Sequence, residues 1–239
     1  MDMMMALAAV IALLAAYLLG AIPFGLIIAN ARGVDLRNSG SKNIGATNVF
    51  RCVGAKWGML AFLCDMLKGF GGVYCACLAS VMLSTETLMN PAYAGRLLLL
   101  HVLCGTAAML GHIFPVYLKF KGGKGISTAL GLLFGVAPLA ACIGFGGWIV
   151  CFVISRYVSL ASCIAAVIVG SCMWTPFYAG MPLWYKILIS ILAVLAILKH
   201  TKNIVRLCNG TENRFAFTAK QRAARAAKLA AQAEKEANA

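Results

Sequence analysis

The chain has 239 residues, of which 62% are hydrophobic and only 12% are charged, and its formal net charge is +14. A soluble domain carries roughly 25% charged residues, so the polar groups that a water-facing surface needs are missing. This composition excludes a soluble enzyme, a disordered chain and a collagen-like fibre, and it indicates an all-α polytopic membrane protein. The ten cysteines form no CxxC pair and lie mostly in apolar runs, which is typical of packing residues.

Charged residues divide the first half of the chain into apolar runs. No charge interrupts residues 3–31, which exceed the ~20 residues of a spanning helix, and Pro23 predicts a break near the end of this span. Residues 32–56 are polar and basic. Two further spans are predicted, over residues 57–83 and over residues 97–118.

The second half begins with three lysines in a Gly-rich stretch and then runs without charge to Ser155. Pro138 lies near the middle of this run, and a proline seldom lies inside an unbroken helix. We therefore predict a short helix over residues 127–137 and a longer one from Pro138 to Ser155, with a single long helix as the alternative. After a turn at residues 176–182, a last span ends at Lys199.

Basic residues near span ends mark the cytoplasmic side of a membrane. This rule predicts seven crossings, one of them short, with the N-terminus outside and the C-terminus inside. Residues 1–212 then form the membrane domain, and residues 213–239 form a basic, Ala-rich cytoplasmic tail. The segments expected at the cytoplasmic face are residues 32–56, residues 119–124, Arg156 and the tail.

Hydrogen-bonding residues concentrate in four segments that this topology places at one membrane face. Glycines leave backbone N–H groups accessible, hydroxyls and amides add donors, and Lys and Arg supply counter-charge, which together are typical of phosphate sites. The sequence therefore predicts a site for more than one phosphate. The four segments are residues 37–51, residues 120–128, residues 156–162 and residues 200–206.

Several of these residues have a second interpretation. Gly122–Gly125 resembles a nucleotide-binding loop, but Lys124 is followed by Gly where that motif needs Ser or Thr. Asp65 and Lys68 are spaced to form an ion pair on one helix face, although charges within a span are also functional candidates. His101 and His112 are expected to be packed and hydrogen-bonded. Three histidines without neighbouring carboxylates make a poor metal site, so we expect no metal and no cofactor.

Five motifs in order resemble those of the bacterial acyl-phosphate-dependent glycerol-3-phosphate acyltransferases, over roughly residues 5 to 212. The chain departs from the family pattern where Lys42 replaces the usual Gly, which bears on the φ freedom of the loop or adds a phosphate contact. The motifs are Gly40–Arg51, Asp65–Gly69, Gly111–Pro115, Phe120–Thr128 and Arg156–Ser162, followed by His200 and Asn203.

The resemblance implies transfer of a fatty acyl group from acyl phosphate to the 1-hydroxyl of glycerol 3-phosphate. The products would be lysophosphatidate and phosphate, in phospholipid synthesis at a bacterial inner membrane, with the active site facing the cytoplasm. Expected partners are the two substrates, membrane lipids and the enzyme that supplies acyl phosphate, and no nucleic acid. A transporter for a phosphorylated anion is the alternative, since it too would use basic, Gly-rich half-helices.

The resemblance also assigns roles to individual residues. Lys124 would neutralise charge between the two phosphates, and Arg51 would hold glycerol 3-phosphate. Either His200 or a substrate phosphate would accept the hydroxyl proton. The residues expected to orient the reacting groups are His200, Asn203 and either Ser159 or Ser162. Those expected to bind phosphate are Gly40, Ser41, Asn43, Gly45, Thr47, Asn48, Gly122, Gly123 and Thr128.

Overall fold

The computed structural model describes residues 3–77 and 91–215. Every regular element in these two ranges is helical, as the composition predicts. The α-helices are α1 (Met3–Ala21), α2 (Phe24–Asn30), α3 (Ala46–Cys52), α4 (Ala55–Tyr74), α5 (Pro91–Ile113), α6 (Ile126–Val136), α7 (Pro138–Ser155), α8 (Val158–Cys172), α9 (Leu183–Leu198) and α10 (Thr201–Cys208), with 3₁₀ turns at Val116–Leu118 and Pro176–Tyr178.

The predicted break in the first span is confirmed at Pro23. Helix α1 ends at Ala21 and α2 begins at Phe24, because Pro lacks a backbone N–H and disfavours helical geometry in the residue before it. The carbonyl of Ile22 accepts a hydrogen bond of 2.8 Å from the Nζ of Lys68 on α4. The break in the first span is thus tied to a charged side chain of α4.

The predicted break at Pro138 is also confirmed, and the alternative of one long helix is wrong. Helix α6 has 11 residues, about 17 Å at 1.5 Å per residue, which is well below the ~30 Å thickness of a typical hydrocarbon core. The backbone groups freed at the break have partners, as a non-aqueous environment requires. Tyr185 donates to the carbonyl of Val136 at 2.7 Å, and the hydroxyl of Tyr178 accepts from the N–H of Ala140 at 3.0 Å.

The third candidate span covers Ala94–Leu118, which agrees with its predicted end, and the last one ends within one residue of the predicted Lys199. Helix α5 itself ends at Ile113, because Pro115 disfavours continuation. The last span ends at Leu198, and a 53° bend separates it from α10. By length and apolarity, the described ranges hold three candidate spans, or four if α9 and α10 are counted as one bent span. Residues 78–90, where the second predicted span would end, lie outside the described residues.

Glycines allow the helices that carry the candidate site to approach closely. A Cβ added to Gly69 of α4 would lie 2.0 Å from the carbonyl oxygen of Thr128, and one added to Gly131 of α6 would lie 1.9 Å from that of Met66. Small residues at helix contacts are typical of membrane proteins. This contact places the start of α6, which follows Lys124, directly against α4.

The predicted tail is described only over residues 213–215, and the rest of it lies outside the described residues. Its first residues return to the helical body. The N–H of Phe215 donates to the carbonyl of Arg156 at 2.7 Å, and its ring packs edge-on against Phe50 and Phe152. The segment after α10 therefore contacts both α3 and α7.

Candidate active site

The first polar loop, residues 37–45, is held in shape by two asparagine side chains. Asn48 is 1% exposed; its Oδ1 accepts the N–H of Ser41 at 2.9 Å, and its Nδ2 donates to the carbonyls of Leu36 and Ser39. The Oδ1 of Asn43 accepts the N–H of Gly45 at 2.8 Å. Asn48, expected to bind phosphate, is therefore engaged in shaping the loop, as is the backbone of Gly45. Ser41 and Thr47 are half-buried hydroxyls of the same region.

Two residues of this loop have left-handed backbone conformations. Gly40 has a φ of +61°, and a Cβ there would lie 2.3 Å from the Oδ1 of Asn48. Lys42 has a φ of +58°, which costs a residue with a Cβ roughly 1–2 kcal/mol. The loop thus keeps, at a lysine, the backbone geometry that a glycine would adopt without strain.

The first and second polar loops face each other across an open cleft of about 630 Å³, which we call the basic cleft. Its two walls are far apart in sequence, and each contributes two cations. No carboxylate lines it among the described residues. Such a cleft attracts anions, because like charges around a low-dielectric wall reinforce one another. Its lining residues are Arg37, Lys42, Asn43, Ile44, Tyr117, Leu118, Lys119, Lys121 and Gly122.

The second loop follows a helix and a 3₁₀ turn rather than a strand, which argues against the nucleotide-binding interpretation. Gly125, with a φ of +81°, precedes the first residue of α6. The N–H of Gly123 donates to the carbonyl of His112 at 3.1 Å. Both Gly122 and Gly123 lie so close to His112 that an added Cβ would be 2.2 Å from one of its atoms. Glycine is therefore required here by packing, apart from any ligand.

Beyond this loop lies a second group of polar residues, the Glu212 cluster, made of Lys124, Ser159, Asn203, Arg206 and Glu212. The Nζ of Lys124 donates to the Oδ1 of Asn203 at 2.5 Å. Asn203 and Ser159 both donate to the Oε1 of Glu212, at 2.8 Å and 2.9 Å. The Nε of Arg206 donates to the Oε2 of Glu212 at 2.8 Å. One carboxylate thus links α8, α10 and, through Asn203, the second loop.

Burial controls the charge of the groups around Lys124. It lowers the pKa of Lys124 to about 8, while the Glu212 carboxylate opposes this shift. Burial, and next the charge of Lys124, lower the pKa of His200 to about 4, so its imidazole is neutral at pH 7. Burial acts to raise the pKa of Glu212, but hydrogen bonds from Arg206, Asn203 and Ser159 outweigh it, and the pKa is lower than usual.

The remaining predicted site residues divide between this cluster and other contacts. Arg51 donates to the carbonyl of Asn213 at 3.4 Å, and its charge contributes to the low pKa of Lys124. His200 is 3% exposed and its Nδ1 lies 2.8 Å from the carbonyl of Ala196. Of the two candidate serines, Ser159 reaches Glu212, whereas the hydroxyl of Ser162 bonds to Val158 and to the indole of Trp148. Thr128 is fully buried.

Sequence reasoning missed Glu212, which follows the last motif closely, and it placed Arg206 in the fourth polar segment without giving it a role. Glu212 is 8% exposed, and a buried acid requires cationic or hydrogen-bonding partners. Its position as the one acid in a strongly basic stretch from Lys199 to Lys228 is the signal that could have identified it.

Comparison with known proteins confirms the resemblance. The family described as "Glycerol-3-phosphate acyltransferase" matches residues 10–210. A glycerol-3-phosphate acyltransferase of Aquifex aeolicus is 42% identical over 200 residues, covering 84% of this chain and 95% of that protein. One of Geotalea daltonii is 39% identical over 209 residues, covering 86% and 97%.

Two solved structures are similar in fold as well as in sequence. Both are of PlsY (YgiH), an integral membrane glycerol 3-phosphate acyltransferase. Its glycerol 3-phosphate form has a TM-score of 0.73 at 41% identity, covering 87% of this chain and 96% of that one. Its lysophosphatidic acid form has a TM-score of 0.71 at 39% identity, covering 87% and 95%.

The charge of Lys124 is predicted to depend on Glu212. In the unaltered protein, Lys124 should become reactive toward acetic anhydride with a midpoint near pH 8, followed by mass spectrometry of its peptide. Glu212→Gln removes the neighbouring negative charge that stabilises the ammonium form, so the midpoint should move to lower pH. Asp35→Asn, at an exposed position just before the first loop, is the control and should leave the midpoint in place. An unchanged midpoint in Glu212→Gln would contradict the assignment.

Proposed function

Because this chain belongs to the glycerol-3-phosphate acyltransferase family and is a membrane-embedded acyltransferase, we propose that its acyl donor is an acyl phosphate. It transfers the fatty acyl group to the 1-hydroxyl of glycerol 3-phosphate and releases lysophosphatidate and inorganic phosphate. The enzyme that supplies acyl phosphate is then its metabolic partner, and no cofactor takes part.

The observation that supports this proposal most directly is the juxtaposition of the basic cleft and the Glu212 cluster. Four cations line the cleft, and Lys124 lies deeper, where burial strengthens its interaction with any anion. Both proposed substrates carry a phosphate, and one of them is half lipid. The cations of the basic cleft and Lys124 of the Glu212 cluster therefore form two neighbouring groups, which suit two phosphate-bearing substrates better than one.

The proposed reaction needs orientation and charge stabilisation more than covalent catalysis. The hydroxyl oxygen of glycerol 3-phosphate attacks the acyl carbonyl, a new ester C–O bond forms, and the bond from the acyl carbon to the phosphate oxygen breaks. The phosphate leaves with the electron pair. Lys124, as an ammonium group, stabilises the negative charge that develops, while Arg51, Ser159 and Asn203 orient the substrates.

The hydroxyl proton passes to a substrate phosphate in this proposal. Both oxygens of Glu212 already accept hydrogen bonds, and its low pKa makes it a weak base. His200 has a pKa of about 4, which also makes it a weak base at neutral pH. A phosphate monoester has its second pKa near ~6 and is better matched to the task. His200 then orients a reacting group through its neutral ring.

We also propose the full topology that the charge pattern predicts: seven crossings in a bacterial inner membrane, with the N-terminus outside and the site facing the cytoplasm. The break between α6 and α7 supports it. If the short α6 and the longer α7 each cross the membrane once, residues 119–124 and Arg156 lie on the same side. Arg156 follows α7 in a left-handed conformation and contacts the segment after Glu212. The basic cleft and the Glu212 cluster then share that side.

The donor proposal predicts that the purified protein releases inorganic phosphate from palmitoyl phosphate only when glycerol 3-phosphate is present. Lys124→Ala should lower kcat by roughly 10²–10³-fold, as loss of an oxyanion-stabilising group does. Lys186→Ala removes a lysine that bonds to the carbonyl of Ala179, away from the site, and should leave turnover unchanged.

Transfer from palmitoyl coenzyme A or an acyl carrier protein but not from palmitoyl phosphate would overturn the proposal. Uptake of glycerol 3-phosphate into vesicles without phosphate release would indicate a transporter.

The role proposed for His200 predicts a uniform effect of pH. Because its pKa lies near 4, His200 does not change charge between pH 5.5 and pH 8. His200→Ala should therefore lower kcat by a constant factor, roughly 10²-fold for a lost orienting contact, across this range. Steady-state rates of both proteins over the same pH series provide the measurement. If the rate of the unaltered protein falls on the acid side with a midpoint at pH ~6.5, the ordinary pKa of His, and His200→Ala lacks this fall, then His200 is the general base instead.

The topology is tested by tags inserted after Val136 and after Arg156 in intact cells. The seven-crossing arrangement predicts that a membrane-impermeant reagent labels the tag after Val136 in intact cells. The tag after Arg156 should be labelled only once the membrane is opened. Labelling of both tags from the same side would mean that α7 does not cross the membrane.

A further inference from the structure

A second group of charged residues is buried between α4 and α5, apart from the Glu212 cluster. We call Asp65, Lys68 and His112 the Asp65 cluster. The Nζ of Lys68 lies 2.8 Å from the Oδ1 of Asp65, and the Nδ1 of His112 lies 3.5 Å from the same oxygen. All three residues are less than 10% exposed. The expected ion pair is thus confirmed, with a third member that the spacing did not predict.

Burying such a group is costly, and apolar residues of similar volume would often give equal or greater stability. Its retention in an apolar chain therefore calls for a role beyond packing. The cluster contacts other parts of the protein that lie near the candidate site. Lys68 bonds to the carbonyl of Ile22 at the break between α1 and α2. A small cavity beside the cluster is lined also by Ile44 of the first loop and by Pro115.

His112 connects this cluster to the second loop through both its ring and its backbone. Its carbonyl accepts the N–H of Gly123. Its Nε2 faces Gly123 so closely that an added Cβ would be 2.2 Å away, and its carbonyl oxygen is equally close to Gly122. The Oδ1 of Asp65 lies 3.5 Å from the Nδ1 at the other edge of the same ring. Gly123 is followed directly by Lys124, which bonds to Asn203 on the opposite side of the loop.

We propose that His112, which lies next to Asp65, is a positioning residue. It sets the location of Lys124 because its ring and its carbonyl pack against Gly122 and Gly123. The proposal rests on the proposed function in assigning Lys124 to the substrate phosphates. His112 itself does not touch the reacting atoms. Lys124 is held between two buried carboxylate clusters, Asp65 acting through His112 and Glu212 acting through Asn203.

The variants that separate positioning from simple packing are His112→Asn and His112→Ala. Asn places an amide near the position of Nδ1, so it can still donate to Asp65, but it has no atom at the position of Nε2. Its effect on folding should be small. His112→Ala removes both contacts. The matched control is His101→Asn in the same helix, where the ring bonds to the carbonyl of Leu97.

The first measurement is the rate at which acetic anhydride modifies Lys124 at a pH above ~10.4, the ordinary Lys pKa, so that the amine is mostly unprotonated in every variant; mass spectrometry of its peptide reports the rate. If His112 supports the loop, Lys124 loses its buried position, so His112→Asn and His112→Ala should both accelerate modification by about tenfold. His101→Asn should not. This measurement needs no turnover, so it tests the positioning role even if the unaltered protein fails to transfer acyl groups from palmitoyl phosphate. An unchanged modification rate in His112→Asn would overturn the positioning role.

The second measurement is steady-state transfer. His112→Asn should lower kcat/KM for glycerol 3-phosphate by about 10²-fold, as displacement of a binding group by ~1 Å can, with a raised KM. A loss of folded enzyme alone lowers the turnover per milligram and leaves KM unchanged. Gly123→Ala, which drives a methyl group against Nε2, should raise KM too, and by much less when combined with His112→Ala. Additive effects of Gly123→Ala and His112→Ala, or an unchanged KM in His112→Asn, would overturn the proposal.

Discussion

A carboxylate buried in an apolar protein is stable only when cations and N–H donors surround it, and the candidate site depends on that requirement. The described residues include three acids, of which Asp65 and Glu212 are buried. Glu212 accepts hydrogen bonds from Asn203 and Arg206 on the preceding helix α10 and from Ser159 on α8, which is distant in sequence. It offsets the repulsion between Lys124 and Arg206, whose charge acts to lower the pKa of Lys124. The site is therefore assembled by one anion among excess cations.

Contacts from neighbouring residues account for the strained backbone and the glycines of the loops. Lys42, Lys119, Phe120 and Arg156 all have positive φ angles, and strain of this kind persists only where surrounding contacts over-determine the conformation. Asn48 provides such a contact in the first loop through the N–H of Ser41, next to Lys42. In the second loop the carbonyls of Val116 and Pro115 accept the N–H groups of Lys119 and Phe120. Gly122 and Gly123 are needed because the ring and carbonyl of His112 occupy the space of a Cβ. Loop geometry is thus imposed by buried polar side chains next to the loops.

The sequence predicted most of the helices, because their causes are local. The predicted apolar spans overlap α1, α5, α7 and α9, and Pro23 and Pro138 mark the predicted breaks. Proline acts on its own residue and on the one before it, so its effect can be predicted without tertiary contacts. The partners of the freed backbone groups could not be predicted in this way. Lys68, Tyr178 and Tyr185 reach these breaks from other helices.

For the candidate site too, local features could be predicted from the sequence, whereas contacts between distant segments could not. By itself, the sequence determined which family the order of its motifs indicates, and it predicted that four polar segments lie at one membrane face, since motif composition and charge patterning are properties of the linear chain. Only the tertiary structure decided which of Ser159 and Ser162 joins the cluster, that Asn48 shapes its loop, and that Glu212 and His112 flank Lys124. These outcomes depend on distances between segments up to about 80 residues apart, as between Lys124 and Asn203, and helix packing alone sets those distances.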